Sequence, residues 1–151
     1  MLAEHLQACS QQVSSLLNTL AEEPGEDEGP SDVAIVRPLP GVGRKMTVWL
    51  LAEAAQPLAE RDYQALRTHS GVAPVTKPSG KRRVVVTRHG CNPRLRNALY
   101  HMARVAMQRD AHFNNVYAAL RAKGQRHGQA LRNIGDRLLR ILMAMLRQRT
   151  R

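Results

Sequence analysis

Two Ser-Gly pairs, Ser70-Gly71 and Ser79-Gly80, stand nine residues apart, and the second runs directly into Lys81, Arg82 and Arg83. A hydroxyl among cations is the minimum equipment for attack on a phosphodiester. The serine oxygen is the nucleophile, and guanidinium groups stabilise the charge that gathers on the phosphoryl oxygens. A glycine beside the serine lets a nucleic-acid backbone approach closely. The same residues without chemistry make a phosphate-binding loop, and residue types alone favour that simpler role. Arg88, Arg94 and Arg96 continue the basic row into the start of a helix.

Other chemistry finds little equipment. The histidines His5, His69, His89, His101, His112 and His127 show no HxxxH or HExxH spacing, so a catalytic metal held by imidazoles is not expected. There is no Walker loop, no GxSxG elbow and no separated pair of carboxylates in apolar sequence that could hold magnesium. Cys9 and Cys91 lie far apart without metal-ligand spacing, which supports neither a zinc site nor a disulfide framework and fits a reducing cytosol.

The charge is unevenly placed. The chain of 151 residues has a net charge of +11. Residues 1–62 hold four Lys/Arg against ten Asp/Glu, a net of −6, and the remaining 89 hold nineteen against two, a net of +17. That second part is built to meet a polyanion, and DNA is the partner it fits first. No apolar run is long enough to cross a bilayer and the amino terminus lacks the pattern of a signal peptide, so a cytoplasmic protein near the nucleoid is expected.

The elements that must position these residues can be read in order. Leu2, Leu6, Cys9, Val13, Leu16 and Leu20 recur with spacings of four and three, the seam of a coiled coil over residues 1–21. The seam could fold back on its own chain or pair with a second one. Residues 22–31, acidic and rich in Pro and Gly, read as a flexible linker. Residues 32–151 read as one compact helical domain. A short helix at Val33–Val36 stops at Pro38 and Pro40, and Gly41-Val42-Gly43 then leads into a helix from Arg44 to Ala55. This is the pattern of a helix-hairpin-helix, which would grip a phosphate through backbone amides at Gly41 and Gly43, with Arg44 and Lys45 adding charge. A plain turn between two core helices is the other reading.

Asp62 caps a further short helix that buries Tyr63 and Leu66. Val75 to Gly90 reads as a basic loop or short β-hairpin around Val84–Val86. Asn92 and Pro93 open a helix with Leu95, Leu99, Met102 and Val105 inward. Arg94 and Arg96 in its first turn oppose the helix dipole, which points to an anion there. Two more helices follow, Asp110–Ala122 with Phe113, Val116, Tyr117 and Leu120 inside, and Gln129–Arg147 with Leu131, Ile134, Leu138, Ile141, Leu142 and Met145 inside. The fold class is mainly α. Of the five aromatics, Trp49, Tyr63, Tyr100, Phe113 and Tyr117, four are placed at core positions, which argues against a base-stacking RNA-binding protein.

The ordered segments LPGVG, LLAEA, SGVAP, SGKRR, RHGCNPRLRNALYHMA, RAKG and LLRILMAMLR carry a resemblance. From Asp32 to Arg147 the chain resembles the carboxyl-terminal transposase domain of the DEDD-type insertion-sequence recombinases, the IS-one-ten family to which the Piv DNA invertase belongs. The resemblance implies DNA recombination by assemblies, guided in some members by a structured bridge RNA. In the family four acidic residues of a RuvC-like domain bind magnesium, a coiled coil follows, and a carboxyl-terminal serine attacks DNA. By motif position Ser79 resembles that serine, while Ser70 matches the small residue before GVAP. Residues 2–20 look like the end of the family's coiled coil, implying homo-oligomers or mixed oligomers. The acidic domain has no counterpart in this sequence, and VVVTRHGCNP departs from the more basic version usual at that place. The expectation is therefore a transposase fragment, not autonomous, that binds no cofactor itself and meets magnesium only through a complementing acidic domain. The alternative is a non-catalytic helix-hairpin-helix module that binds DNA or inhibits a full-length relative.

Overall fold

The last helix decides the architecture, because its apolar stripe is too wide for one neighbour to cover. The computed structural model describes residues 1–22, 29–79, 82–86 and 90–149, with 76–79 and 82–86 described by their backbone alone. Its elements are α1 (Leu2–Ala21), α2 (Asp32–Val36), α3 (Arg44–Glu53), α4 (Ala55–Ala59), α5 (Tyr63–His69), β1 (Val75–Ser79), β2 (Arg82–Val86), α6 (Pro93–Arg109), α7 (Ala111–Ala122) and α8 (His127–Gln148). The fold is mainly helical, with one antiparallel hairpin of β1 and β2 between α5 and α6.

Leu131, Ile134, Leu138, Leu139, Leu142, Met143 and Leu146 of α8 are buried, and α2, α5, α6 and α7 all pack against it. The stripe is centred differently from the sequence reading. Ile141 is 42% exposed, at the edge of the stripe, while Leu139, Met143 and Leu146 are inside. Four helices packed around α8 cover positions that a single docked helix would leave wet. Polar groups join the same interface. Asp136 of α8 accepts hydrogen bonds from the Tyr63 hydroxyl at 2.7 Å and from Arg67 Nε at 2.9 Å, which fixes α5 on α8. Burial first, then the Asp136 carboxylate, raise the pKa of Tyr63 above 10.0, so its hydroxyl stays a donor.

Helix α6 is the second axis. Leu95, Leu99, Met102, Ala103 and Ala106 are fully buried between α8 and the amino-terminal helices. Its start is capped as the sequence predicts, the Asn92 side chain accepting from the backbone N-H of Arg94 and Leu95 at 3.0 and 3.1 Å with Pro93 following. Asp110 closes α6 and caps α7 through the N-H groups of His112 and Phe113. The expected helix to Ala55 ends at Glu53, and α4 continues separately.

On α1 the seam read from the sequence does not face the domain. Leu2, Leu6, Leu16 and Leu20 are exposed at 54–78%, and a neighbouring stripe, Ser10, Val13, Ser14, Leu17 and Ala21, turns towards α2 and α3. Leu17 alone is fully buried, worth about 2 kcal/mol of burial, supported by a hydrogen bond from Arg37 to Asn18 at 3.3 Å. Of the segment read as a linker, residues 23–28 lie outside the described residues.

The turn between α2 and α3 lies so close to α6 that it leaves no room for a side chain at Gly41. At Gly41 φ is +82°, and an added Cβ would lie 2.3 Å from the Met102 carbonyl oxygen of α6. Gly43 has φ of −93° and open space around it. Gly41→Ala is therefore expected to destabilise the protein by about 3 kcal/mol or more, combining a strained backbone with a clash against an immobile carbonyl. Gly43→Ala should cost about 1 kcal/mol or less, the difference between Gly and Ala at a helix cap. Urea unfolding of the two variants checks the ranking.

Candidate nucleic-acid interface

The two glycines of PGVG have separate tasks. Gly41 allows the turn to touch α6, and Gly43 caps α3 without a side chain, so the first-turn amides of α3 meet no capping group from their own chain terminus. The first helical bond returns from the Thr47 N-H to the Gly43 carbonyl at 3.0 Å, reinforced by the Thr47 hydroxyl at 3.1 Å. Lys45 is exposed beside this terminus. The Arg44 guanidinium is turned towards α1, where it donates to the hydroxyls of Ser14 and Ser10.

The other end of α3 is tied to the start of α6. Glu53 accepts from Asn92 Nδ2 at 2.6 Å and from Arg94 Nη1 at 3.4 Å, and His69 Nε2 lies 2.9 Å from the Glu53 carbonyl. The hydrogen bond from Asn92 is the main cause that holds the Glu53 carboxyl below its ordinary 4.5, against a smaller opposing effect of burial, and Arg94 adds to the lowering. With Gly41 against Met102 and Glu53 against Asn92, α3 runs antiparallel along α6. One groove of about 1480 Å³ follows this seam and is lined by Gly41, Gly43, Arg44 and Lys45 and also by Pro93, Arg94 and Arg96. Two segments that stand some fifty residues apart in sequence thus share one surface. At ~1.5 Å per helical residue their charged ends are separated by roughly 15 Å.

Between them the groove is lined by Trp49, Tyr100 and His101. Trp49 and Tyr100 are each 38% exposed, so three of the five aromatics lie in or against the core where four were expected. Phe113 is buried, and Tyr63 and Tyr117 pack half-buried against the core. Part of the signal was present in the sequence: Trp49 follows Lys45 by one helical turn and falls on the flank of the stripe formed by Met46 and Leu50, and Tyr100 follows Leu99 off the core stripe.

The candidate serines lie in different settings. Ser70 is fully buried and donates its hydroxyl to the Arg67 carbonyl at 3.2 Å, and the adjacent Gly71 is packed against Cys91. Ser79 ends β1 and pairs with Arg82 across the hairpin, with Pro78 opposite Arg83. A strand of five residues at ~3.3 Å each places the tip roughly 16 Å from the base of the arm. Gly80, Lys81 and Arg88 lie outside the described residues.

The carboxylates near these groups are committed elsewhere. Asp32 pairs with Arg61 at 2.7 Å, Glu53 with Asn92 and Arg94, Asp136 with Tyr63 and Arg67, and Asp62 and Asp110 cap helices. No group of three His, Cys, Asp or Glu side chains among the described residues could hold a metal ion. The described part of this chain does not fit a magnesium site. Among the described residues no helix is long and apolar enough to cross a membrane.

Residues 33–118 match the model of the transposase family IS116/IS110/IS902. The chain is 33% identical over 116 residues to the uncharacterized 44.8 kDa protein of insertion element IS116 from Streptomyces clavuligerus, covering 76% of this chain and 29% of that protein. It is 30% identical over 119 residues to the uncharacterized 43.6 kDa protein of insertion element IS110 from Streptomyces coelicolor, covering 77% of this chain and 29% of that protein. The chain spans less than a third of the length of these relatives.

Glu53 ties α3 to α6 more strongly when ionised, since the carboxylate is the better acceptor for Asn92 and the partner of Arg94. A carboxyl whose pKa is lowered on folding adds stability above its unfolded pKa and loses it as pH falls through the folded value. The wild-type protein should therefore lose melting temperature below about pH 4.5 more steeply than Glu53→Gln, so that the gap between the two narrows on acidification. Thermal melts between pH 6 and 3 in roughly half-unit steps check this.

Proposed function

The chain belongs to the IS116/IS110/IS902 transposase family, and on that premise we propose that it binds DNA in insertion-sequence transposition, with Ser79 as the nucleophile of strand transfer. One observation carries the DNA-binding part. The starts of α3 and α6, each rich in cations where the helix dipole disfavours them, line a single groove. Glu53 already brings one carboxylate to Asn92 and Arg94 at the start of α6, and an external phosphate would meet the charge that remains, on Arg96 there and on Lys45 at the start of α3. Gly41 and Gly43 shape the first of these contacts, Arg44, Lys45, Arg94 and Arg96 supply charge, and the sequence adds further cations of the same sign at Lys81, Arg82, Arg83 and Arg88. Recognition of this kind grips backbone phosphates and reads few bases.

The chemistry assigned to Ser79 is phosphoryl transfer. The serine oxygen bonds to phosphorus, the bond from phosphorus to the strand's ester oxygen breaks, and the serine proton ends on that leaving oxygen, giving a serine-DNA phosphodiester. Ser79, at the end of β1 beside the hairpin turn, suits such attack better than Ser70, whose hydroxyl is buried and already donating. The committed carboxylates favour a division of labour in which acidic residues of another polypeptide segment assist the step. They also favour the second reading, a non-catalytic DNA-binding or inhibitory module. A structured guide RNA would be held through the same phosphate contacts. The exposed Leu2, Leu6, Leu16 and Leu20 suit pairing with another copy or a full-length relative through residues 2–20.

Binding to duplex DNA should weaken about 100-fold between 50 and 200 mM salt, as release of about four counterions requires, with little dependence on base sequence. In a reaction complemented by a full-length family member whose own serine is replaced, Ser79→Ala should keep DNA affinity and lose the covalent protein-DNA adduct on a denaturing gel. An adduct formed by this variant overturns the nucleophile assignment, and no adduct from the wild type selects the non-catalytic reading.

Replacing Leu6 and Leu16 by Asp should shift the protein to monomer in sedimentation while the domain stays folded by circular dichroism, since neither side chain belongs to the domain core.

A further inference from the structure

We propose that the groove between α3 and α6 holds an unpaired DNA strand, whose bases stack on Trp49 and Tyr100 while its phosphates reach the cations at the two ends. This rests on the DNA-binding reading above and assigns the form of DNA that the groove takes.

The argument begins with what the groove displays. A phosphate surface for duplex DNA needs cations, amides and hydroxyls, and the stacking face of an exposed indole in their midst adds little to it. Here Trp49 and Tyr100, both large and both more than a third exposed, line the same groove as Arg44, Lys45, Arg94, Arg96 and Arg109. The carboxylate in the lining, Asp110, is already occupied in capping α7. The charge of the rim therefore selects a polyanion over an apolar peptide or a second helix. Aromatic faces between phosphate contacts are the arrangement that holds single strands, because every base has a face to stack and in a duplex those faces are covered.

Size and spacing agree. Pockets for small ligands occupy about 300–1,000 Å³, and this groove, at about 1480 Å³, suits a chain segment. Trp49 stands one turn after Lys45 and one turn before Glu53, which holds Arg94, so the ring lies between the two cationic ends along the helix. Tyr100 is placed midway along α6 between its start at Pro93 and Arg109, and its hydroxyl lies 3.4 Å from His127 Nε2, which restrains the ring. A restrained ring loses little entropy on stacking.

Trp49 is the single tryptophan of the chain, so the groove carries its own probe. Titration with a thymidine oligonucleotide of roughly twelve residues should quench its fluorescence, and a blunt hairpin duplex at equal saturation should quench it far less. By anisotropy of labelled DNA, Trp49→Ala and Tyr100→Ala should each weaken binding of the single strand by about tenfold and change duplex affinity less than about twofold. Trp49→Phe, which keeps a stacking face, should restore most of the loss. Equal losses on single strand and duplex, or single-strand binding with no change in Trp49 fluorescence, overturn the assignment while leaving duplex recognition in place. Tighter binding of the matching uridine RNA than of the thymidine strand overturns the choice of DNA. Failure of the wild type to bind either DNA overturns the DNA-binding reading itself. Both side chains are outside the core, and melting curves of the variants establish that the fold is kept.

Discussion

The shape of the groove depends on how α6 is held. One side of this helix is buried against α8 through Leu95, Leu99, Met102, Ala103 and Ala106, and the turn at Gly41 rests on its backbone at Met102. Backbone contact at that distance permits no side chain, so the turn can settle at only one height and one position along α6. Glu53 then fixes the far end of α3 to Asn92 and Arg94. A helix pinned at both ends to a buried partner cannot slide or pivot, and the two charged termini inherit a fixed separation. Closely packed interiors transmit such constraints because they offer few alternative arrangements.

Charge works against the fold in the same places. The groove draws α3 from the acidic amino-terminal part of the chain and α6 from the strongly positive remainder, and Arg44, Lys45, Arg94 and Arg96 stand at the amino ends of these two helices. The acidic groups that could relieve this are spent within the fold. Asp136 orders α5 on α8, Asp32 holds Arg61 and Asp110 ends one helix while starting another. Structural carboxylates therefore stabilise the scaffold and leave the rim positive. A surface of one sign beside a low-dielectric wall concentrates the field on whatever enters the groove.

The helical class, the caps at Asp62 and Asn92 and the burial of Leu95, Leu99 and Phe113 were all legible in the sequence, because each follows from local periodicity or from the hydrogen bonds of a single side chain. The centre of the α8 stripe was not. Ile141 and Leu139 are equally apolar, and which one is buried depends on the four helices that approach from different directions. The candidate site was legible as separate pieces, PGVG with Arg44 and Lys45, and PRLR with Arg94 and Arg96. Their meeting was not, since it arises from the antiparallel course of α3 and α6, a long-range property. One aromatic more was expected in the core than the structure places there, for a related reason. Large aromatics are assumed to be inside unless a tertiary contact says otherwise, and the contact that matters here is with a groove.

Helix α1 shows how one amphipathic helix can serve two surfaces. Its docked stripe and its leucine seam share Val13 and diverge on either side of it. The docked stripe is weak in apolar burial, with Leu17 inside and two serines facing Arg44, whereas the seam carries four exposed leucines. Hydrophobic burial scales with apolar area, so the larger driving force lies on the side that the domain leaves open. The serines do something else. By accepting from the Arg44 guanidinium they hold a cation that borders the groove without neutralising it, because a hydroxyl carries no charge. The contact orients α1 and leaves the charge of Arg44 available to the groove's field. A carboxylate in either serine position would dock the helix more firmly and cancel a charge at the rim.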